Sequence, residues 1–290
     1  DGDSPFHGVL THGFVVDGEG KKMSKSAGNV VAPQDVMQEF GADILRLWVS
    51  SCDYQYDVRL SKDILKQLAE TYKKIRNTFR HLLGNLHDFD PEKDKIPFEN
   101  LHPLDQWAVT RVKFLVSAID QYYFNFEFHK IYTAIYNFCI ICLSSYYFDS
   151  SKDILYTQNT GRKSIQTAFF HILENLVKLL APILVFTTDE VWSSFPIEKG
   201  VSSVHESRLE VPKSVLVGKF NTEWEHIFSL RDAIMPLLEK KRNLCLIGSS
   251  LDAKIYFRVE HPELEQIFKK NLGELSRVFI VSHGQVYWMD

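Results

Sequence analysis

Residues 61–86 read SKDILKQLAETYKKIRNTFRHLLGNL, and this stretch decides the fold class. Ile64, Leu65, Leu68, Tyr72, Ile75, Phe79, Leu82 and Leu86 recur mostly at steps of three and four. That period lays one apolar stripe along a helix, where a strand would show alternation. Ser61 stands where an N-cap is wanted and Gly84 lies near the end. A helix with only one apolar stripe must bury it against partners, so others are expected beside it.

They follow downstream. After a polar, proline-marked loop from Asp88 to Pro103, a second pattern runs through Trp107, Val109, Val112, Leu115, Val116 and Ile119. Asn125 is positioned to cap a third, aromatic-rich helix reaching Tyr147, and a fourth spans Arg162 to Leu180 and stops at Pro182. A fifth begins at Thr187, where Thr187-Thr188-Asp189-Glu190 has capping-box spacing. The expected class is mainly α, an antiparallel helical bundle over residues 62–212. Residues 213–290 read as a small α/β module: helices at Glu223 to Lys241 and Pro262 to Leu272, strands at Ala253 to Val259, Val278 to Val281 and Val286 to Trp288. Upstream, residues 1–61 form a small α/β segment. Val9-Leu10 and Gly13 to Val16 suggest a strand, Asp17-Gly18-Glu19-Gly20 a turn, and Pro33 and Asp43 open short helices.

Composition narrows the options. Hydrophobic residues make up 45% of the 290 and charged residues 24%, enough to bury a sizeable core and unlike a disordered chain. The formal charge of −4 provides no whole-molecule field for a polyanion, so any nucleic-acid site must rest on local Lys and Arg clusters. Four scattered cysteines do not make a disulfide framework and suggest a reducing compartment. Cys139-Ile140-Ile141-Cys142 has no second pair nearby and reads as buried thiols in a helix, with no metal expected here. Phe138 to Leu143 is too short an apolar run to cross a membrane, and no membrane partner is expected. The start, Asp1-Gly2-Asp3-Ser4-Pro5, shows no targeting signal.

Chemistry concentrates in Lys22-Met23-Ser24-Lys25-Ser26. Two flexible ammonium groups, two hydroxyls and flanking Gly18, Gly20 and Gly28 make a mobile cationic loop suited to phosphates whose charge grows during reaction. A match to five specified residues arises by chance in roughly one chain in ten thousand of this length.

With Gly28-Asn29-Val30-Val31 and Pro33 after it, the loop resembles the second signature of class I aminoacyl-tRNA synthetases. Gly41 to Trp48 is similar to the segment that follows it in the branched-chain subgroup. Trp48, Asp53-Tyr54, Asp57, Arg59 and Ser61 with Ile64-Leu65 resemble the isoleucyl pattern more than the valyl or leucyl one. His102 to Trp107, Ala181 to Leu184, Asp189 to Trp192 and Ile247 to Ala253 continue the likeness.

The resemblance implies an ATP-dependent ligase acting on isoleucine and tRNA(Ile), with Mg2+ accompanying ATP. Lys22 and Lys25 are then catalytic, Met23, Ser24 and Ser26 complete the ATP loop, and the bundle is of anticodon-binding type. Asp53, Asp57 and Arg59 either hold the joining segment or face the tRNA stem. Ala27 departs mildly from the usual leucine or lysine. The partner His-x-Gly-His signature is absent, since neither His7-Gly8 nor His12-Gly13 supplies it, so this portion alone is expected to be inactive.

For RNA, the first long helix carries Lys66, Lys73, Lys74, Arg76 and Arg80 against Asp63 and Glu70, a local positive excess able to track a phosphate backbone. Tyr122-Tyr123-Phe124 and Tyr146-Tyr147-Phe148 read as core before base-stacking platforms. A valyl or leucyl counterpart and a stand-alone RNA-binding module with a vestigial loop remain the alternatives. A monomer is expected, in the mitochondrial matrix or, alternatively, the bacterial cytoplasm.

Overall fold

The computed structural model describes residues 5–6, 8–157, 161–196, 201–212, 219–259 and 261–288, with backbone alone at 219–221, 257 and 283–288. The opening Asp1 to Ser4, His7 of the His7-Gly8 pair, and the expected boundary at 213 fall outside the described residues.

The order is β1 (Val15–Val16), α1 (Pro33–Phe40), α2 (Ala42–Ser51), β2 (Val58–Arg59), α3 (Lys62–Asn85), α4 (Pro91–Asp94), α5 (Pro103–Phe124), α6 (Phe128–Asn137), α7 (Asp149–Tyr156), α8 (Arg162–Leu180), α9 (Val185–Ser193), α10 (Lys219–Asn243), β3 (Lys254–Val259), α11 (Pro262–Lys270), α12 (Leu272–Phe279) and β4 (His283–Trp288). The chain is mainly helical. Among the described residues the strands form two parallel pairs, β1 with β2 and β3 with β4.

The stripe on α3 behaves as its period demands. Leu65, Leu68, Ile75, Phe79, Leu82 and Leu86 are buried, and the Ser61 hydroxyl accepts from Ile64 N at 3.3 Å, capping the helix. α8 differs in kind. Ile165, Ala168, Phe169, Phe170, Ile172, Leu173, Leu176, Val177, Leu179 and Leu180 are all buried, leaving a narrow polar line through Lys163, His171, Glu174, Asn175 and Lys178 partly open, so it serves as the central helix. α3, α5, α7 and α9 pack around it.

Several expectations are corrected. Val9 and Leu10 are exposed and outside any strand, which shrinks to Val15–Val16. Asn125 closes α5 instead of opening α6, its N–H donating to Gln121 O at 3.0 Å. The third helix runs past Tyr147 to Tyr156 through a π-helical stretch, Phe138–Phe148, where the Ser145 hydroxyl donates to Ile140 O at 3.0 Å. By length and composition this 29-residue helix is apolar enough to cross a membrane, contrary to the reading of Phe138 to Leu143 alone. Its buried Ile131, Ile135, Phe138, Cys139, Leu143 and Tyr147 give it the packing of a core helix. Cys139 lies within that core, where burial pushes its thiol up to about 12.

The Thr187 capping box does not form. Thr187 lies inside α9, and the cap comes from Asp43 of α2, 144 residues away in sequence. Its carboxylate accepts from Phe186 N at 3.2 Å, Thr187 N at 2.7 Å and the Thr187 hydroxyl at 2.6 Å, placing negative charge at the helix's positive end. Arg46 completes the joint by donating to Pro182 O and Ile183 O beyond α8. Val278 to Val281 is not a strand: Leu275, Val278 and Phe279 fall at helical spacing and are the buried face of α12.

α10 docks on the helical part through Trp224, Ile227 and Phe228, the last lying 4.7 Å from the Trp107 ring and stacked 4.3 Å from that of Tyr146.

Candidate active-site loop and nucleic-acid interface

The loop's footing is a close parallel pairing of β1 with β2. Gly13 N donates to Tyr54 O, Val58 N to Phe14 O and Leu60 N to Val16 O, all at 2.8–2.9 Å. A Cβ on Gly13 would sit 2.2 Å from Tyr56 O, so the approach requires glycine. Asp57 accepts from Phe14 N at 2.8 Å and Trp48 Nε1 donates to Arg59 O at 3.3 Å. Asp53 accepts from Gln55 N at 3.2 Å within its own turn. Asp57 thus staples the joining segment to the loop's strand.

From there the chain turns at Asp17. Asp17 N donates to Lys21 O and Gly20 N to Asp17 O, with Gly20 at φ +85°. The Asp17 carboxylate accepts from Glu19 N, Lys21 N and the Asn29 amide; these bonds, Asn29's first, hold it below the usual carboxylate range. Met23 is half-buried against the core. The tip is two tight turns, Ala27 N to Ser24 O and Gly28 N to Lys25 O, both at 3.2 Å, with Gly28 at φ +68°. The Ser24 and Ser26 hydroxyls meet at 3.2 Å. Lys22 and Lys25 are exposed, Lys22 Nζ standing 5.8 Å over the Phe14 ring. The result is a rigid base carrying two water-facing cations, an arrangement able to reach an arriving polyphosphate.

The basic residues of α3 are less free than their spacing suggests. Lys66, Lys73 and Arg80 recur every seven residues, one line spanning about 21 Å of helix. Lys66 lies 3.6 Å from Asp63 and Lys73 2.5 Å from Glu70. Lys74 donates to the Tyr136 hydroxyl at 3.2 Å and covers its ring. Arg76 forms a two-pronged pair with Glu190 of α9 at 2.7 and 2.8 Å; this bond raises the guanidinium's pKa and lowers that of Glu190. Arg80 lines the α3–α9 groove with Asn77, His87 and Ser194. Glu190 lies 114 residues from Arg76 in sequence, so counting charges along α3 could not include it. Of the aromatic clusters, Tyr147 and Phe148 are core and Tyr123 donates to Leu179 O, whereas Phe124 is 79% exposed. Among the described residues no cluster of three or more His, Cys, Asp or Glu side chains could hold a metal.

The family model for the anticodon-binding domain of tRNA ligases matches residues 105–257, more than half of the chain. The chain belongs to the tRNA ligases. A second model, for class I tRNA synthetases of the I, L, M and V types, matches residues 1–61. Isoleucine–tRNA ligases from Caldicellulosiruptor saccharolyticus, Natranaerobius thermophilus and Caldanaerobacter subterraneus are 45%, 44% and 46% identical over 97–98% of this chain and 31–32% of their own lengths. The chain therefore spans about a third of the relatives it matches. Among solved structures, a Mycobacterium tuberculosis methionyl-tRNA synthetase in complex with methionyl-adenylate covers 63% of this chain and 37% of its own, with TM-score 0.54 and 16% identity. The Agrobacterium radiobacter K84 LeuRS–tRNA–LeuAMS ternary complex covers 65% and 22%, with TM-score 0.50 and 19% identity. These two likenesses concern the fold.

Proposed function

We propose that this ligase segment belongs to an enzyme that activates isoleucine with ATP and transfers it to tRNA(Ile). Here it supplies the phosphate loop Lys22–Ser26 and a grip on the tRNA anticodon arm. The observation that carries the reading is the exposed cationic loop, clamped at its base and stapled through Asp57 to the segment that leads into α3. Isoleucine's carboxylate attacks the α-phosphate of ATP, the bond to the β-phosphate breaks, and pyrophosphate leaves with the charge that Lys22 and Lys25 meet. The tRNA's terminal ribose hydroxyl then attacks the acyl carbon and releases AMP. Mg2+ travels with ATP in this scheme.

The finer architecture belongs to the same proposal: the end of a catalytic fold to residue 61, an antiparallel anticodon-binding bundle over 62–212 and a junction module from 213, in a monomer. So does the compartment, mitochondrial matrix with bacterial cytoplasm as the alternative. The relatives named above are bacterial, and fractionation of the source cells decides between the two. The identity of those isoleucine–tRNA ligases favours isoleucine over valine or leucine. In a charging assay the full-length enzyme should load tRNA with isoleucine; loading with valine or leucine alone would move the reading to that enzyme.

The RNA half makes its own prediction. Lys73→Glu with Lys74→Glu should weaken tRNA binding tenfold or more at about 0.1 M salt and lower the slope of log K against log salt by about 1–2. Filter binding across a salt series measures both, and an unchanged slope would return this face to ordinary solvent.

A further inference from the structure

The Asn29 side chain makes three bonds across the base of the loop. Its amide nitrogen donates to Asp17 Oδ2 at 2.8 Å and to Lys22 O at 3.3 Å, and its oxygen accepts from Ser24 N at 2.9 Å. Asp17 in turn holds Glu19 N and Lys21 N through its other oxygen, and an isolated bridge ties Val16 to Lys22. One amide and one carboxylate therefore hold Asp17, Glu19, Lys21, Lys22 and Ser24 together, while Lys25 to Gly28 project beyond the clamp. Asn29 is half-buried and touches neither cation's ammonium. Its effect on chemistry must pass through the backbone of Lys22 and Ser24.

We propose that Asn29 and Asp17 are positioning residues for phosphate transfer, a clamp that pre-aims Lys22 and sets the pivot about which Lys25 swings. The proposal rests on the phosphate reading of the loop. A cation held in place before reaction costs no reorganisation as charge develops, and a misplacement of about 1 Å can cost a hundredfold. Because the loop serves the transition state more than the bound substrate, loosening its base lowers kcat and leaves KM for ATP nearly alone.

Isoleucine-dependent ATP–pyrophosphate exchange in the full-length enzyme tests this. Asn29→Ala should lower kcat by about 10- to 100-fold with KM for ATP within about twofold. Asn29→Asp sets two carboxylates face to face, with Glu19, Lys21 and the Arg59 guanidinium around them. One proton is then shared at a raised pKa, so its activity should climb as pH falls from 8 to 6, a trend that a merely unfolded loop would not show. The exchange Asp17→Asn with Asn29→Asp restores an amide–carboxylate pair and should recover most of the lost rate. Wild-type kcat in Asn29→Ala would overturn the clamp, as would a double variant no better than Asn29→Asp at any pH. Lys25→Ala run alongside separates the two claims. If Lys25→Ala is unimpaired, the phosphate reading falls; if it is crippled while Asn29→Ala is normal, only the clamp falls.

Discussion

Arg277→Ala is expected to cost about 3–5 kcal/mol of folding free energy, the penalty for stripping one partner from a buried ion pair. Arg277 reaches from α12 into the helical core, with 8% of its side chain exposed, and meets Asp105 of α5, which is fully buried, at 2.7 Å. It also donates to Ser150 O at 3.1 Å and the Ser151 hydroxyl at 3.0 Å, and lies over the Tyr147 ring. Without it, Asp105 keeps, among the described residues, the Tyr147 and Ser164 hydroxyls as donors, too little for a buried charge. Glu274 loses its 3.3 Å pair with Arg277, and burial already raises its pKa. The lost bonds all start from α12, so α12 should loosen before the rest unfolds, held then by Arg231 of α10, which joins Val278 O to Asp149 and Ser145 O. Urea denaturation of the full chain with hydrogen exchange over α12 measures both effects. Arg277→Met with Asp105→Asn should cost clearly less than the two single changes added, since they share one interaction. A loss below about 1 kcal/mol in Arg277→Ala would show that the pair is not holding the module.

What the sequence made legible was local. The stripe on α3, its Ser61 cap and the α8 limits depend on neighbours within a few residues, and period and capping chemistry report those directly. The cationic loop was legible because its residue types are themselves the chemistry. Several features that the sequence hides involve partners distant in it. Asp43 opens α2 as its place in the sequence suggests, but it also caps α9; Arg76, one of the basic residues of α3, pairs with Glu190 of α9. Asn29 stood beside the motif without a role because its partner is a turn residue twelve positions earlier. Arg231 and Arg277 are not legible either, since a lone arginine in a helix carries no sign that its partner is an aspartate in another region. Val278 to Val281 failed differently: four residues of high strand propensity were overridden by the helical spacing of Leu275, Val278 and Phe279.

Lys25→Ala carries the largest effect on activity. Lys25 stands at the exposed tip, beyond the clamp, with no ion-pair partner among the described residues. Little structure should be lost on truncation, and thermal unfolding should stay within about 0.5 kcal/mol of wild type. The chemical step should suffer far more. Removing one pre-aimed donor from developing charge costs about a hundred- to a thousandfold in kcat, with ATP binding much less affected because the contact tightens only as pyrophosphate departs. Lys22→Ala should be milder on this account, its ammonium being nearer the clamped base. The decisive measurement is isoleucine-dependent ATP–pyrophosphate exchange by the full-length enzyme, wild type beside Lys25→Ala, at saturating isoleucine and across ATP concentration. A fall in kcat of two or more orders of magnitude with a nearly constant KM for ATP is the predicted result. Exchange at the wild-type rate would contradict the assignment of this loop to the phosphates.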